Sequence, residues 1–247
     1  MSIESEKDMI GLRKVGNLVA DTIKLMIASA VPGVTTKSLD KIARNYFESF
    51  GARSAPEITY NFPGATCISV NHEVAHGIPG SRVLREGDLL NVDVSLELDG
   101  YFADAGYSIC LSPTHPNLAN LCNASHEILL KTIQSLRSGN RINKIGTTIE
   151  TEAKKRGYQV IRNLTGHGTG RRLHEEPVNI VNYKDPADLR LLSKGMVLAV
   201  ETFISTGAKL AIESKDGWTL KTPDKSYVAQ FEHTIIITEQ EPILLTA

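Results

Sequence analysis

The feature that most restricts what this chain can fold into is that it repeats itself. Pro32-Gly33-Val34-Thr35-Thr36-Lys37-Ser38-Leu39 opens an apparent helix that ends at Phe50-Gly51, and Ser138-Gly139-Asn140-Arg141-Ile142-Asn143-Lys144-Ile145 opens another that ends at Arg156-Gly157. Gly33 to Gly51 and Gly139 to Gly157 are both eighteen positions apart. Thr35 or Thr36 can cap the first helix, and Gly51 suits the left-handed residue that ends one. A second match follows each helix. Arg85-Glu86-Gly87-Asp88-Leu89-Leu90-Asn91-Val92-Asp93 aligns without gaps against Ser193-Lys194-Gly195-Met196-Val197-Leu198-Ala199-Val200-Glu201. Each run is a turn glycine, an apolar strand, and a carboxylate six residues after the glycine. The alternative is a pair of unrelated helix-plus-strand units. Agreement in order, spacing and residue type at two elements favours a duplicated scaffold instead.

The coarse order is helix at 4–30 and 36–50, strands around 66–70, 88–98 and 101–111, helices at 116–137 and 143–156, then strands near 195–205, 217–222 and 227–238. Helices grouped before hairpin strands in each half predict an α+β fold, antiparallel sheet with helices on one face. No Pro/Gly/Ser-rich linker separates the halves. The chain is therefore expected to form one catalytic domain over 1–247, with an N-terminal half at about 1–112 and a C-terminal half at about 113–247.

A net charge of −1 gives no electrostatic reason to expect nucleic acid or an anionic membrane as the main partner. The three cysteines, Cys67, Cys110 and Cys122, lack CxxC spacing and argue for a reducing compartment over a disulfide framework. No segment approaches the ~20 apolar residues of a membrane span. A cytoplasmic protein is the expectation.

Asp99-Gly100 between two strand-like runs is a strong short-hairpin signal. If those residues form the loop, Leu98 faces Tyr101 and Ser95 faces Asp104, with Asp93 two residues further along the same face. Asp93 and Asp104 then become diagonal neighbours ~7–8 Å apart, pointing inward from otherwise apolar strands. Two inward carboxylates are costly unless compensated, and no Lys or Arg lies between Asp88 and Leu111. A metal ion would compensate them; solvation on an exposed face is the bland alternative. In the second half Glu201 and Glu232 each interrupt an apolar strand. His167 stands in Gly166-His167-Gly168-Thr169-Gly170, a pattern that alone more often marks a turn than a ligand. One histidine with four carboxylates is an oxygen-rich donor set, suited to two divalent ions such as Co, Mn, Fe or Zn and not to a tetrahedral structural zinc. Such ions ~3.5–4 Å apart hold a hydroxide for hydrolysis at neutral pH.

His72-Glu73-Val74-Ala75-His76 matches the H-E-x-x-H pattern of zinc metalloproteases, which needs a helix to place both histidines on one face. Here Thr66-Cys67-Ile68-Ser69-Val70 leads in as a strand and Gly77-Ile78-Pro79-Gly80 follows at once. A proline there opposes helix continuation, so the zincin reading is rejected.

Taken together the motifs resemble the type 1 methionine aminopeptidases of the pita-bread (creatinase-like) fold, from about Lys14 to Leu245. The carriers are Asn61-Phe62-Pro63-Gly64, Cys67-Ile68-Ser69-Val70-Asn71, His76-Gly77-Ile78-Pro79, Asn91-Val92-Asp93-Val94, Gly166-His167-Gly168-Thr169-Gly170, Leu173-His174-Glu175-Glu176-Pro177, Asp216-Gly217-Trp218-Thr219 and Ala229-Gln230-Phe231-Glu232-His233-Thr234. The resemblance implies a curved antiparallel sheet with helices on its outer face and an internal pseudo-twofold. It implies metal binding by Asp93, Asp104, His167, Glu201 and Glu232, with Asp104 and Glu232 bridging and Glu201 also moving a proton. His76 and His174 resemble the family's substrate-contacting histidines, His174 stabilising the tetrahedral intermediate. Phe62, Cys67 and Trp218 match positions lining a methionine pocket, and each could equally be plain core. The implied activity is removal of the initiator methionine from nascent proteins when the second residue is small. Transient ribosome contact is allowed, membrane and direct nucleic-acid recognition are not expected, and a monomer is. Another exopeptidase of the same fold, a dipeptidase or Xaa-Pro aminopeptidase, stays open, as does a non-catalytic binding module. Two departures bear on metal preference and rate: Glu201 precedes Thr202 where the family commonly has proline, and Asp104 precedes Ala105 where it often has threonine.

Overall fold

In the computed structural model, which describes residues 1–247, the first half runs α1 (Glu6–Ser29), α2 (Thr36–Ser49), β1 (Arg53–Ser54), α3 (Ala55–Tyr60), β2 (Cys67–Val70), β3 (Glu73–Ala75), β4 (Leu89–Leu98) and β5 (Tyr101–Cys110). The second runs α4 (Pro116–Gln134), α5 (Asn143–Lys155), β6 (Gln159–Val160), β7 (Thr165–Gly168), β8 (Glu175–Val181), β9 (Val197–Ser205), β10 (Ile212–Glu213), β11 (Leu220–Lys221), β12 (Val228–Ile236) and β13 (Ile243–Leu244). No helix is long and apolar enough to cross a membrane.

Capping and amphipathicity explain the helices. Ser5 and Asp8 form a reciprocal capping box at the start of α1. Leu12, Val15, Val19, Ile23 and Met26 then recur every three or four residues and bury one face. Thr35, not Thr36, caps α2 by accepting from the Ser38 amide. The matching helix α5 has no side-chain cap at Ile142, so the repeat is closer in spacing than in capping chemistry.

The hairpin turns where the Asp-Gly step predicts. Asp99 and Gly100 have φ of 55° and 81°, the left-handed pair that a two-residue loop needs to match strand twist. Leu98 pairs with Tyr101 and Ser95 with Asp104. In the second half, Glu201 of β9 lies directly opposite Glu232 of β12.

Backbone hydrogen bonds repeat as well. Gly33 donates to Leu84 and Leu84 to Val34; Gly139 donates to Leu192 and Leu192 to Asn140. Gly87 donates to Leu111 and Leu111 to Asp88; Gly195 donates to Ile237 and Ile237 to Met196. Helix α1 packs on β4 and β5, α4 packs on β9 and β12, and each is flanked by the next helix in its half. The apolar core is accordingly split, 27 buried residues around α1 and 22 around α4.

The two hairpins meet along β5 and β12, joined by two hydroxyls. Thr234 Oγ1 accepts from the Asp104 amide at 2.8 Å and donates to the Asp104 carbonyl at 2.7 Å. Ser108 Oγ accepts from the Gln230 amide at 3.1 Å and donates to the Gln230 carbonyl at 2.8 Å. Each hydroxyl satisfies both polar groups of a residue on the opposing strand, so the seam closes without a backbone ladder.

The coarse reading missed several elements. Helix α3 is only six residues long, too short for an apolar period to register. The Gly-His-Gly run is strand β7, not a turn, paired with β8 and β9. Around 217–222 only Leu220–Lys221 is strand.

Candidate active site

Side-chain alternation brings the strand carboxylates to one face. Asp93 pairs with Gly106 and Ser95 with Asp104, so Asp93, Ser95 and Asp104 share that face. Cys67 of β2 pairs with Asp93 from the other side. His167 lies opposite Ala199, two residues before Glu201, and so faces the same way.

All ten residues singled out above line one cavity of about 360 Å³: Phe62, Cys67, His76, Asp93, Asp104, His167, His174, Glu201, Trp218 and Glu232. Tyr60, Leu164, Leu173, Val178 and Asn179 complete much of its wall. Of these only Leu173 falls inside a motif noted in the sequence. Tyr60 directly precedes the quoted Asn61-Phe62-Pro63-Gly64, and Leu173 opens the quoted Leu173-His174 motif, so adjacency was the available signal.

The electrostatics are those of too many negative charges in one dry place. Burial raises the pKa of Asp93, Asp104, Glu201 and Glu232, and the repulsion of Asp104 adds to the other three. A hydrogen bond from the Ser95 hydroxyl at 2.7 Å acts the other way on Asp104. Gln230 Nε2 donates to Glu232 Oε2 at 3.0 Å, while Glu232 Oε1 is buried without a partner. A buried, orphaned carboxylate oxygen is expensive, and a cation is the partner it lacks.

The imidazole completes the donor set. His167 Nδ1 lies 2.9 Å from the Gly168 carbonyl, which can only accept, so Nδ1 carries the proton and Nε2 presents a lone pair. That Nε2 is 3.8 Å from Asp104 Oδ2. Ligand atoms of Asp104, His167 and Glu232 all fall within 4.8 Å of one another, a spacing that one ion can collect. Burial lowers His167 to about 4, which keeps the ring neutral, as a ligand must be. The residues fit a divalent ion.

One wall of the cavity is apolar. Phe62 and Trp218 stack edge to face with centroids 5.2 Å apart, and Phe62 is buried. Burial and then the Asp93 and Asp104 charges push the Cys67 thiol far up, so it lines the cavity as a neutral, soft group. His76 follows β3 with φ of 54°, a left-handed conformation that His, like Asn and Asp, enters more readily than other residues with a Cβ. Burial lowers its pKa, and burial together with His167 lowers that of His174 to about 4.

The H-E-x-x-H segment is not helical. Glu73 to Ala75 form strand β3, and Glu73 is consumed by the Val70 amide at 2.7 Å and by Arg82 at 3.2 Å. His72 packs against Tyr227 with ring centroids 4.9 Å apart, and only His76 lines the cavity. The two departures are also accounted for. Thr202 and Ala105 alternate with Glu201 and Asp104 and so point away from the cavity. Thr202 is buried and its hydroxyl is 2.9 Å from that of Ser125 on α4, while Ala105 packs in the α1 core.

The model of metallopeptidase family M24 matches residues 10–239. "Methionine aminopeptidase 2" of Bacillus subtilis is 49% identical over 247 residues, covering 100% of this chain and 99% of its own. The crystal structure of methionine aminopeptidase from Rickettsia prowazekii superposes with a TM-score of 0.95 at 38% identity, each chain covered in full. A prolidase from Pyrococcus furiosus shares the fold alone, with a TM-score of 0.80 at 19% identity over 99% of this chain and 65% of that one.

Proposed function

Since the chain belongs to metallopeptidase family M24, we propose that its cavity removes the N-terminal methionine from proteins whose second residue is small. The observation that carries this is the meeting, in one cavity, of five metal-type donors from both halves with an apolar wall of Phe62, Trp218 and Cys67. Both halves work as one catalytic unit, because neither contributes enough donors alone.

Asp93, Asp104, His167, Glu201 and Glu232 would hold two divalent ions, drawn from Co, Mn, Fe or Zn. Such ions supply charge neutralisation and Lewis acidity for amide hydrolysis. The aromatic edge and neutral thiol receive an unbranched thioether side chain. Glu201 moves a proton from the attacking water to the leaving amine. His174 donates to the carbonyl oxygen as the carbon becomes tetrahedral, and His76 contacts the scissile amide. Nascent proteins are the substrates, the setting is cytoplasmic, the enzyme is a monomer, and contact with the ribosome is transient.

Purified protein supplied with Co or Mn is expected to release methionine from Met-Ala-Ser, to lose that activity to a chelator, and to leave Leu-Ala-Ser and Xaa-Pro peptides without an N-terminal methionine intact. Equal turnover of the leucine peptide would remove methionine from the reading, and turnover confined to Xaa-Pro would make the chain a proline-directed exopeptidase.

A further inference from the structure

Two imidazoles face each other in the cavity, His167 and His174, with ring centroids 4.0 Å apart. Their Nδ1 atoms have different partners. His167 faces a carbonyl, so its proton sits on Nδ1. His174 Nδ1 lies 2.6 Å from the Tyr60 hydroxyl. A phenol can donate or accept, but it is the stronger acid of the two and imidazole nitrogen is the stronger base. The hydrogen bond therefore runs from Tyr60 to Nδ1, and the single proton of neutral His174 sits on Nε2. Burial, with the Asp104 charge, raises the phenol's pKa, so Tyr60 keeps the proton it donates.

Tyr60 is held where this requires. It is the last residue of α3, which is capped by Ser54, whose hydroxyl accepts from the Glu57 amide and donates to the Ala65 carbonyl at 2.8 Å. Glu57 is gripped by the Arg44 guanidinium through both of its oxygens. Asn61 then ends the helix with φ of 57°. The first half thus anchors the phenol, and the second half carries the imidazole it orients.

We infer that Tyr60 is a positioning residue that fixes His174 as its Nε2–H tautomer, so that the ring offers a proton and not a lone pair to the substrate carbonyl oxygen. This rests on the role proposed above for His174. It also explains how a histidine packed at a tilt against His167 stays out of the donor set: with Nδ1 capped and Nε2 protonated, His174 has no lone pair for a cation.

The test is Tyr60→Phe, a conservative change at a half-exposed position, made alone and with His174→Ala. In the zinc-loaded protein, ¹⁵N NMR of labelled histidines is expected to show His174 protonated at Nε2, and a mixture of tautomers in Tyr60→Phe. On Met-Ala-Ser, kcat is expected to fall about tenfold with KM and metal content nearly unchanged, on the scale of losing a group that orients another. In the His174→Ala background the same change is expected to cost nothing further. An Nδ1–H tautomer in the parent, or an equal loss in both backgrounds, overturns the assignment. If the parent cleaves no peptide at all, the functional reading fails while the NMR result still decides what Tyr60 does.

Discussion

The hairpins β4–β5 and β9–β12 are copies in backbone and not in chemistry. In the first, Asp93 and Asp104 sit diagonally, because Asp93 faces Gly106. In the second, Glu201 and Glu232 face each other directly. Matching the strands through their repeated turn hydrogen bonds makes Glu201 the counterpart of Asp93, Glu232 that of Gly106, and Gln230 that of Asp104. The space opened by Gly106 is filled by Gln230: a Cβ at Gly106 would come within 2.0 Å of Gln230 Oε1. Gln230 in turn donates to Glu232 and accepts from Asn91 at 2.7 Å. Ser69 stands where the other half has His167, and there its hydroxyl accepts the Gly77 amide at 3.1 Å. A doubled scaffold thus supplies strand positions in pairs, while side-chain choice at those positions limits the proposed donors to five.

Each half can be disabled separately. The largest effect is expected for Asp104→Asn and Glu232→Gln, one from each hairpin. Both should abolish release of methionine and lower bound metal measured by elemental analysis. Survival of either variant would mean that one half carries the chemistry without the other. Next come the histidines, His76 from the first half and His174 from the second. His174→Ala should leave metal content intact and reduce kcat by roughly 10²–10³, the usual scale for one oxyanion donor. Loss of metal in that variant would move His174 into the donor set.

Gly106→Ala sharpens the point about asymmetry. The added methyl must displace Gln230 and with it the hydrogen bond to Glu232, so activity or metal affinity should drop by about 10–100-fold while the protein stays folded. An unchanged enzyme would show that Gln230 does not hold Glu232.

The seam gives a smaller, energetic test of the twofold. Thr234→Val strands both polar groups of Asp104, whereas Ser108→Ala leaves the Gln230 carbonyl a second donor, Asn91 Nδ2 at 3.3 Å. Each should cost about 1–3 kcal/mol in urea unfolding, with the threonine change the larger. The reverse order would mean that the two hydroxyls are not equivalent braces.

The smallest effect concerns one low-pKa carboxylate in each half. For Asp8, burial acts upward, but hydrogen bonds at Glu4, Ser5 and Tyr101 and the Arg171 charge outweigh it and bring the pKa to about 2. For Glu152, hydrogen bonds from Lys155 and Lys131 bring it to about 2. A folded pKa below the unfolded value contributes stability above the unfolded pKa and loses it as pH falls toward 2. Asp8→Asn and Glu152→Gln should therefore be less stable than the parent at pH 7, with most of that gap closed by pH 2. A gap that is undiminished at pH 2 would assign the loss to packing.

The duplication, the Asp99-Gly100 loop, the register that pairs Ser95 with Asp104 and the inward carboxylates are all legible along the chain. Turn chemistry and the two-residue period of a strand act between near neighbours, so they can be read along the chain. The rejection of His72-Glu73-Val74-Ala75-His76 as a helix belongs with them, since flanking strand and proline signals are equally local. Packing between the halves is what lets Thr234 and Ser108 fasten one hairpin to the other, Gly106 make room for Gln230, and Tyr60 meet His174. Those contacts join residues 114 to 130 positions apart. They depend on how two separately formed halves pack, and no turn preference or side-chain period encodes that.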